Sequence, residues 1–363
     1  MLLPTEALPV SDTLSIQSHK HTYQVCFEND FAKQLTAEIQ PGDHVAVDAS
    51  ILELYAEKLE PILRDVSHTV ITPSEEQKSY QAITGFIDTL LETGFRKNNR
   101  LIAIGGGITQ DIVAFTASIL FRGVSWIFYP TTLLAQCDSC IGSKTSINFG
   151  SYKNQLGGFY PPVKIINDLS FLDTLSPLDF RSGMGEMLHY YLVSGEEDFQ
   201  RINREYDDAM NDEDVLRGLV HHSLDFKRGY VEKDEFDQGP RNVFNYGHSF
   251  GHAIESISQY RIPHGIAVSF GMDIANSISA KLGLISEQER QRIRPILEKN
   301  WGDMRLDEVN EENLIATLRK DKKNVGAQIN VILTRGLGDM FKSPLEINDE
   351  TRQWIVEVLD TMK

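Results

Sequence analysis

Cysteine, positive charge and long apolar runs are all scarce in this 363-residue chain. Three cysteines, an odd number, make no disulfide framework. The pair Cys137-Asp-Ser-Cys140 has no second CxxC to complete a zinc site, so these residues read as small core or loop positions, with a redox role as the lesser alternative. Lys and Arg number 35 against 52 Asp and Glu, a formal net charge of -17. Such a surface repels nucleic acid and anionic membranes, and an anionic ligand would need basic side chains gathered locally. No apolar run approaches a membrane span. The start, MLLPTEALPVSD, puts an acidic residue and prolines where a signal peptide needs a basic end and an apolar core, so a cytoplasmic protein is expected.

What is present divides by pattern. The length suits two ordinary domains, or one domain with a large extension. Up to about Asp168, β-rich runs (His44 to Val47, Thr69 to Thr72, Leu101 to Ile104, Ser125 to Tyr129, Lys164 to Ile166) alternate with helical ones (Ile51 to Leu63, Tyr80 to Gly94, Thr109 to Leu120). This alternation predicts βαβ units around a mainly parallel sheet, with Thr13 to Phe27 as a hairpin against it. After Ser170 helical periodicity dominates: Pro177 to Ser194, Val215 to Val231, Val243 to Ser258, Ile266 to Leu282, Glu287 to Asn300 and Glu311 to Lys320. A late hairpin around Gly336 and Gly338 and a last helix from Asp349 to Met362 complete the reading. The Ser139 to Tyr152 loop, rich in glycine and serine, is where movement over a substrate is expected.

Two motifs carry chemistry. Gly105-Gly106-Gly107 follows a buried strand and precedes a helix, so free N–H groups can meet a pyrophosphate, although glycines after a strand also make plain tight turns. His248 and His252 lie four apart on one helical face, with His264 after a short loop and Glu186 upstream, a plausible set for a catalytic Zn²⁺. An exposed or capped histidine pair is the bland alternative. Glycines at 247 and 251 weigh against it, because each costs a helix about 1 kcal/mol and implies close approach.

Over nearly its whole length the chain resembles the sugar phosphate cyclase superfamily, and within it the 3-dehydroquinate synthases. The matching residues are GGG followed by Asp111, FRG at Phe121 to Gly123, PTTLLAQ at Pro130 to Gln136, DSxxGxK from Asp138 to Lys144, Lys153-Asn154, FLxTL from Phe171 to Leu175, GMxE ending at Glu186, and RxxxNxGHxxGHAIE from Arg241 to Glu255, then His264-Gly265. The resemblance implies a Rossmann-like, NAD-binding α/β domain (1–170) and a mainly helical metal- and substrate-binding domain (171–363). It further implies an enzyme using NAD⁺ and a divalent metal, usually Zn²⁺ with Co²⁺ as an alternative, to close a sugar phosphate into a carbocycle with loss of phosphate. It makes Glu186, His248 and His264 the metal ligands. Phosphate would meet His252, Lys144, Asn245, a lysine of Asp321-Lys322-Lys323 (Lys323 the choice), and Arg122 reaching across a homodimer. A substrate carboxylate would meet Lys227 and Arg241, while Asp138, Lys153 and Asn154 would orient ring hydroxyls and the nicotinamide side. NAD would be held by Asp48, Glu75, Lys78, Gly106, Gly107, Asp111, Thr131, Thr132, Thr174 and Leu175, with Lys153 beside them.

The chain departs from the family at four places. His189 stands where a lysine usually contacts substrate, Asp237 where a glutamate is common, Gly142-Ser143 where a glycine pair precedes the phosphate lysine, and Gln110 where a glycine precedes the NAD aspartate. A histidine is shorter and mostly neutral near pH 7. Three activities follow as alternatives. The first is 3-dehydroquinate synthase acting on 3-deoxy-D-arabino-heptulosonate 7-phosphate in the shikimate pathway, which Lys227, Arg241 and Asn245 favour. The second is a sister cyclase taking an amino analogue or sedoheptulose 7-phosphate. The third is a metal-dependent polyol or glycerol phosphate dehydrogenase.

Overall fold

The computed structural model describes residues 13–150, 152–319 and 328–363. Among them the chain forms two compact units, which are not two consecutive stretches divided once near residue 170. One runs to Leu175 and also takes in Val220–Phe236, and the other comprises Ser176–Leu219 with Asp237–Lys363.

The first unit contains β1 (Thr13–Gln17), β2 (Thr22–Glu28), α1 (Phe31–Glu38), β3 (His44–Asp48), α2 (Ala49–Leu54), α3 (Ala56–Leu63), β4 (Ser67–Ile71), α4 (Tyr80–Glu92), β5 (Leu101–Gly105), α5 (Gly107–Ile119), β6 (Trp126–Pro130), β7 (Lys144–Phe149), β8 (Tyr152–Phe159) and β9 (Lys164–Asp168). Seven strands form one sheet in the order β1-β2-β9-β6-β5-β3-β4, parallel throughout except for the β1–β2 hairpin. Strands β3, β5 and β6 are buried at every position, as short apolar runs covered on both faces should be. The helical run expected from Ile51 to Leu63 is two helices, since Tyr55 (φ -117°, ψ 28°) leaves helical geometry and sends its hydroxyl to Ser170 O at 2.8 Å. Where a loop is expected from Ser139 to Tyr152, a π-helical turn at Ala135–Ser139 leads to the antiparallel pair β7–β8.

Helices dominate the second unit: α6 (Pro177–Ser194), α7 (Glu196–Glu205), the first part of α8 (Glu213–Val231), α9 (His248–Ile257), α10 (His264–Lys281), α11 (Glu287–Trp301) and α12 (Glu311–Leu318), then β10 (Gln328–Thr334), β11 (Met340–Glu346) and α13 (Asp349–Asp360). α10 is buried without a break from Gly265 to Ser279 and packs against α6, α9, α11, α13 and β10, so it is the axis of this core. Helix α7 has no counterpart in the sequence reading. The run expected from Val243 to Ser258 breaks at Gly247 (φ +78°), which separates a 3-10 turn, Pro240–Asn245, from α9.

Candidate active site

Glycines at helix crossings build the cluster in the helical unit. A Cβ on Gly265 would run into Ser182 O, and one on Gly185 into Gly265 O, so α6 and α10 touch backbone to backbone. At the second crossing a Cβ on Gly251 would sit 3.0 Å from Val268 Cα, which is the close approach that the glycines of this motif imply. Glu186 on α6, His248 opening α9 and His264 opening α10 therefore converge. Glu186 Oε2 lies 3.6 Å from His248 Nε2 and 3.5 Å from His264 Nε2.

The donor set fits a divalent metal. Glu186 is only 3% exposed and, among the described residues, its Oε2 accepts no hydrogen bond, a costly arrangement unless something cationic shares the space. Each histidine's other nitrogen is engaged: His264 Nδ1 lies 3.1 Å from Glu255 Oε2, and His248 Nδ1 lies 3.2 Å from Tyr246 O. Such outer partners orient the rings and leave both Nε2 atoms facing the carboxylate. Burial opposes the charge on Glu186, but His248 and His264 hold its pKa well below the ordinary value. Burial likewise opposes protonation of His264, and the neighbouring Glu186 and Glu255 carboxylates overcome it and raise that pKa well above the usual imidazole range. His252, Glu255 and His264 form a second close group, but the Glu255–His264 bond makes Glu255 an orienting partner.

Around this cluster, His252 packs 5.6 Å from His248 and 5.5 Å from His264 between ring centres. His189 is fully buried, 3.9 Å from Glu186 Oε1 and enclosed by the rings of Tyr190, Phe244, Tyr246 and His248. Arg241 is buried on the 3-10 turn that also carries Asn245.

The sheet unit gathers the expected cofactor residues at the carboxyl ends of its parallel strands, where open α/β sheets bind ligands. Asp48 ends β3, Gly106 and Gly107 follow β5, Thr131 and Thr132 follow β6, and Thr174 and Leu175 come after β9. Gly106 caps α5 without a side chain, and a Cβ on Gly107 would meet nothing within 4 Å, so the start of this helix offers unobstructed N–H groups. Asp48 Oδ1 also caps α2 by accepting from Ser50 N at 2.8 Å, and burial raises its pKa against the pull of those amides. Thr174 Oγ1 is 3.1 Å from the Tyr55 hydroxyl.

A polar network joins the remaining residues of this unit. Lys78 Nζ pairs with Asp111 Oδ2 at 2.6 Å and donates to Asn154 Oδ1 at 2.7 Å. Burial raises the Asp111 pKa although Lys78 opposes it. Glu75 Oε2 faces Lys153 Nζ at 3.3 Å and accepts from Asn148 Nδ2 at 2.8 Å. Asp138 receives Lys227 Nζ on both its carbonyl and Oδ1, each at 2.6 Å. Lys144 opens β7 after Ser143 (φ +64°), whose hydroxyl donates to Glu235 at 2.5 Å. Arg122 is exposed on a left-handed turn, Phe121 (φ +50°) to Gly123, an uncommon backbone for such residues. Lys323 lies outside the described residues.

Four supporting residues went unassigned from sequence. Glu255 closes the GHAIE motif and Asn148 sits in a polar run, so only the former carried a signal. Gln110, one of the departures, is held in a two-way clamp: its Nε2 donates to Ser139 O at 2.6 Å and Ser139 Oγ donates back at 2.7 Å. Tyr55 carried no signal.

The family models described as 3-dehydroquinate synthase N-terminal and C-terminal match residues 68–182 and 183–324. A 3-dehydroquinate synthase of Acidithiobacillus ferrooxidans is 37% identical over 300 residues, covering 81% of this chain and 82% of the relative. A 2-deoxy-scyllo-inosose synthase solved with carbaglucose-6-phosphate, NAD⁺ and Co²⁺ superposes with a TM-score of 0.82 at 24% identity, over 97% of this chain and all of the other. A 2-epi-5-epi-valiolone synthase from Streptomyces hygroscopicus subsp. jinggangensis 5008, with NAD⁺ and Zn²⁺ bound, gives 0.78 at 25%, over 94% and 96%. Among the described residues no helix is long and apolar enough to cross a membrane.

Proposed function

The chain belongs to the 3-dehydroquinate synthase family, and from that premise we propose that it converts 3-deoxy-D-arabino-heptulosonate 7-phosphate into 3-dehydroquinate and inorganic phosphate. The observation that supports this reading is the buried Glu186 oxygen facing two oriented imidazoles at 3.6 and 3.5 Å. When bound, NAD⁺ supplies a hydride acceptor that is regenerated within the cycle, and the divalent metal, Zn²⁺ in our reading, supplies a Lewis acid that makes a substrate hydroxyl easier to ionise. Glu186, His248 and His264 would hold the metal. Gly106, Gly107, Asp111, Asp48, Glu75, Lys78, Thr131, Thr132, Thr174 and Leu175 would hold NAD.

The remaining residues bind and orient. Lys227, steadied by Asp138, and Arg241 offer fixed positive charge for a carboxylate, and both are buried enough that water screens it little. Lys144, Asn245 and His252 would receive the phosphate, with Lys323 in the same role. Arg122, displayed on its left-handed turn, suits a contact with a second copy in a homodimer. Lys153 and Asn154 would orient hydroxyls beside the nicotinamide. The leaving phosphate can itself accept the proton lost in elimination, so no separate strong base is required. We place the protein in the cytoplasm.

His189 favours a second reading. Fully buried, it offers no reach to a substrate group that a lysine would meet, which suits a sister cyclase taking an amino analogue or sedoheptulose 7-phosphate. Product analysis by mass spectrometry separates the two. Equimolar phosphate and 3-dehydroquinate from the heptulosonate support the first reading, and turnover confined to another sugar phosphate excludes it.

A further inference from the structure

The hairpin of β10 and β11 brings a cation to the helical site that no motif marks. Ile332 and Lys342 are directly paired across the hairpin, and Asn330 lies two residues from Ile332 on the same face. That face lines one cleft together with Asn245, His248 and His252. The hairpin reaches α9 beside the histidines, where Ser249 Oγ is 3.5 Å from Asn330 O. Among the described residues lining this cleft, Lys342 has the one permanently charged side chain, and its ammonium makes no ion pair or hydrogen bond within them.

We propose that Lys342 is a phosphate-binding residue of this site, supplying from β11 a charge that the sealed imidazole of His189 cannot. This rests on the reading that the cleft receives a sugar phosphate. The amide of Asn245 and the ring of His252 are hydrogen-bonding groups, and two such neighbours with one ammonium suit a phosphate monoester or inorganic phosphate. Lys342 is exposed and has no ion pair among the described residues, so their packing does not depend on it.

The test is titration of inorganic phosphate into the NAD- and metal-loaded protein, wild type against K342A and K342R, followed calorimetrically. K342A is expected to bind phosphate about 10- to 100-fold more weakly, as loss of a charge-assisted bond implies, with K342R partly restored and the melting temperature unchanged. The KM for the sugar phosphate should rise by a similar factor, with kcat changed less. Unaltered phosphate affinity in K342A, or no binding by wild type, overturns the proposal. Turnover of the heptulosonate with that result leaves the functional reading standing. Phosphate binding through Lys342 without turnover of the heptulosonate sinks the functional reading instead.

Discussion

The two units make their sites by opposite uses of glycine. In the sheet unit Gly107 keeps space open: its missing Cβ faces nothing within 4 Å, and what matters is the room left for a ligand against backbone N–H groups. In the helical unit Gly185, Gly265 and Gly251 close space, letting helices approach until side chains from three of them converge on one point. The candidate ligand site at a strand end is therefore local in sequence, and the Glu186–His248–His264 cluster is a product of tertiary crossings.

Four experiments press on that contrast. The largest effect is expected for E186Q, which removes the anionic oxygen between the imidazoles: metal affinity should fall by more than the roughly 10- to 100-fold typical of an outer partner, abolishing turnover, with the fold retained in circular dichroism. Next, G265A forces a Cβ onto Ser182 O, and a stability loss of about 1–3 kcal/mol in urea titration should accompany reduced metal content. An unchanged metal content would mean that the crossing tolerates separation. Third, metal uptake must displace the proton that Glu186 and Glu255 hold on His264. Because that pKa is raised, affinity should fall as pH drops through and below it, by up to about tenfold per unit, beginning above the ordinary imidazole pKa. In E255Q the fall should begin at lower pH and affinity at high pH should weaken about 10- to 100-fold. Competition with a metal-sensitive dye from pH 6 to 9 reads both. The smallest stability effect is expected for G107A, with space around it and a helical position: stability should rise by about 0.4–1 kcal/mol while NAD binding weakens. Destabilisation there would erase the distinction between the units.

The same contrast explains what could be read from sequence. The alternating strands and helices and the glycine triplet are consecutive features, and they appear in the fold where the pattern put them. The i, i+4 spacing of His248 and His252 was legible. That His248 turns Nε2 toward Glu186 depends on the break at Gly247 and on Tyr246 O, and neither has a pattern. Val220–Phe236 rejoins the sheet unit through Lys227 to Asp138 and Glu235 to Ser143, contacts 89 and 92 residues apart that no local periodicity encodes. The β7–β8 hairpin escaped because its strands are half exposed and polar, so alternation is weak.

In the proposed cycle NAD⁺ is reduced and restored while phosphate is lost. Phosphate release and absorbance at the NADH band, recorded together over many turnovers of 3-deoxy-D-arabino-heptulosonate 7-phosphate, test it directly. Phosphate is expected to equal the substrate consumed, with NADH never exceeding the enzyme present. NADH accumulating in step with substrate, without phosphate, would contradict it and make the protein a dehydrogenase.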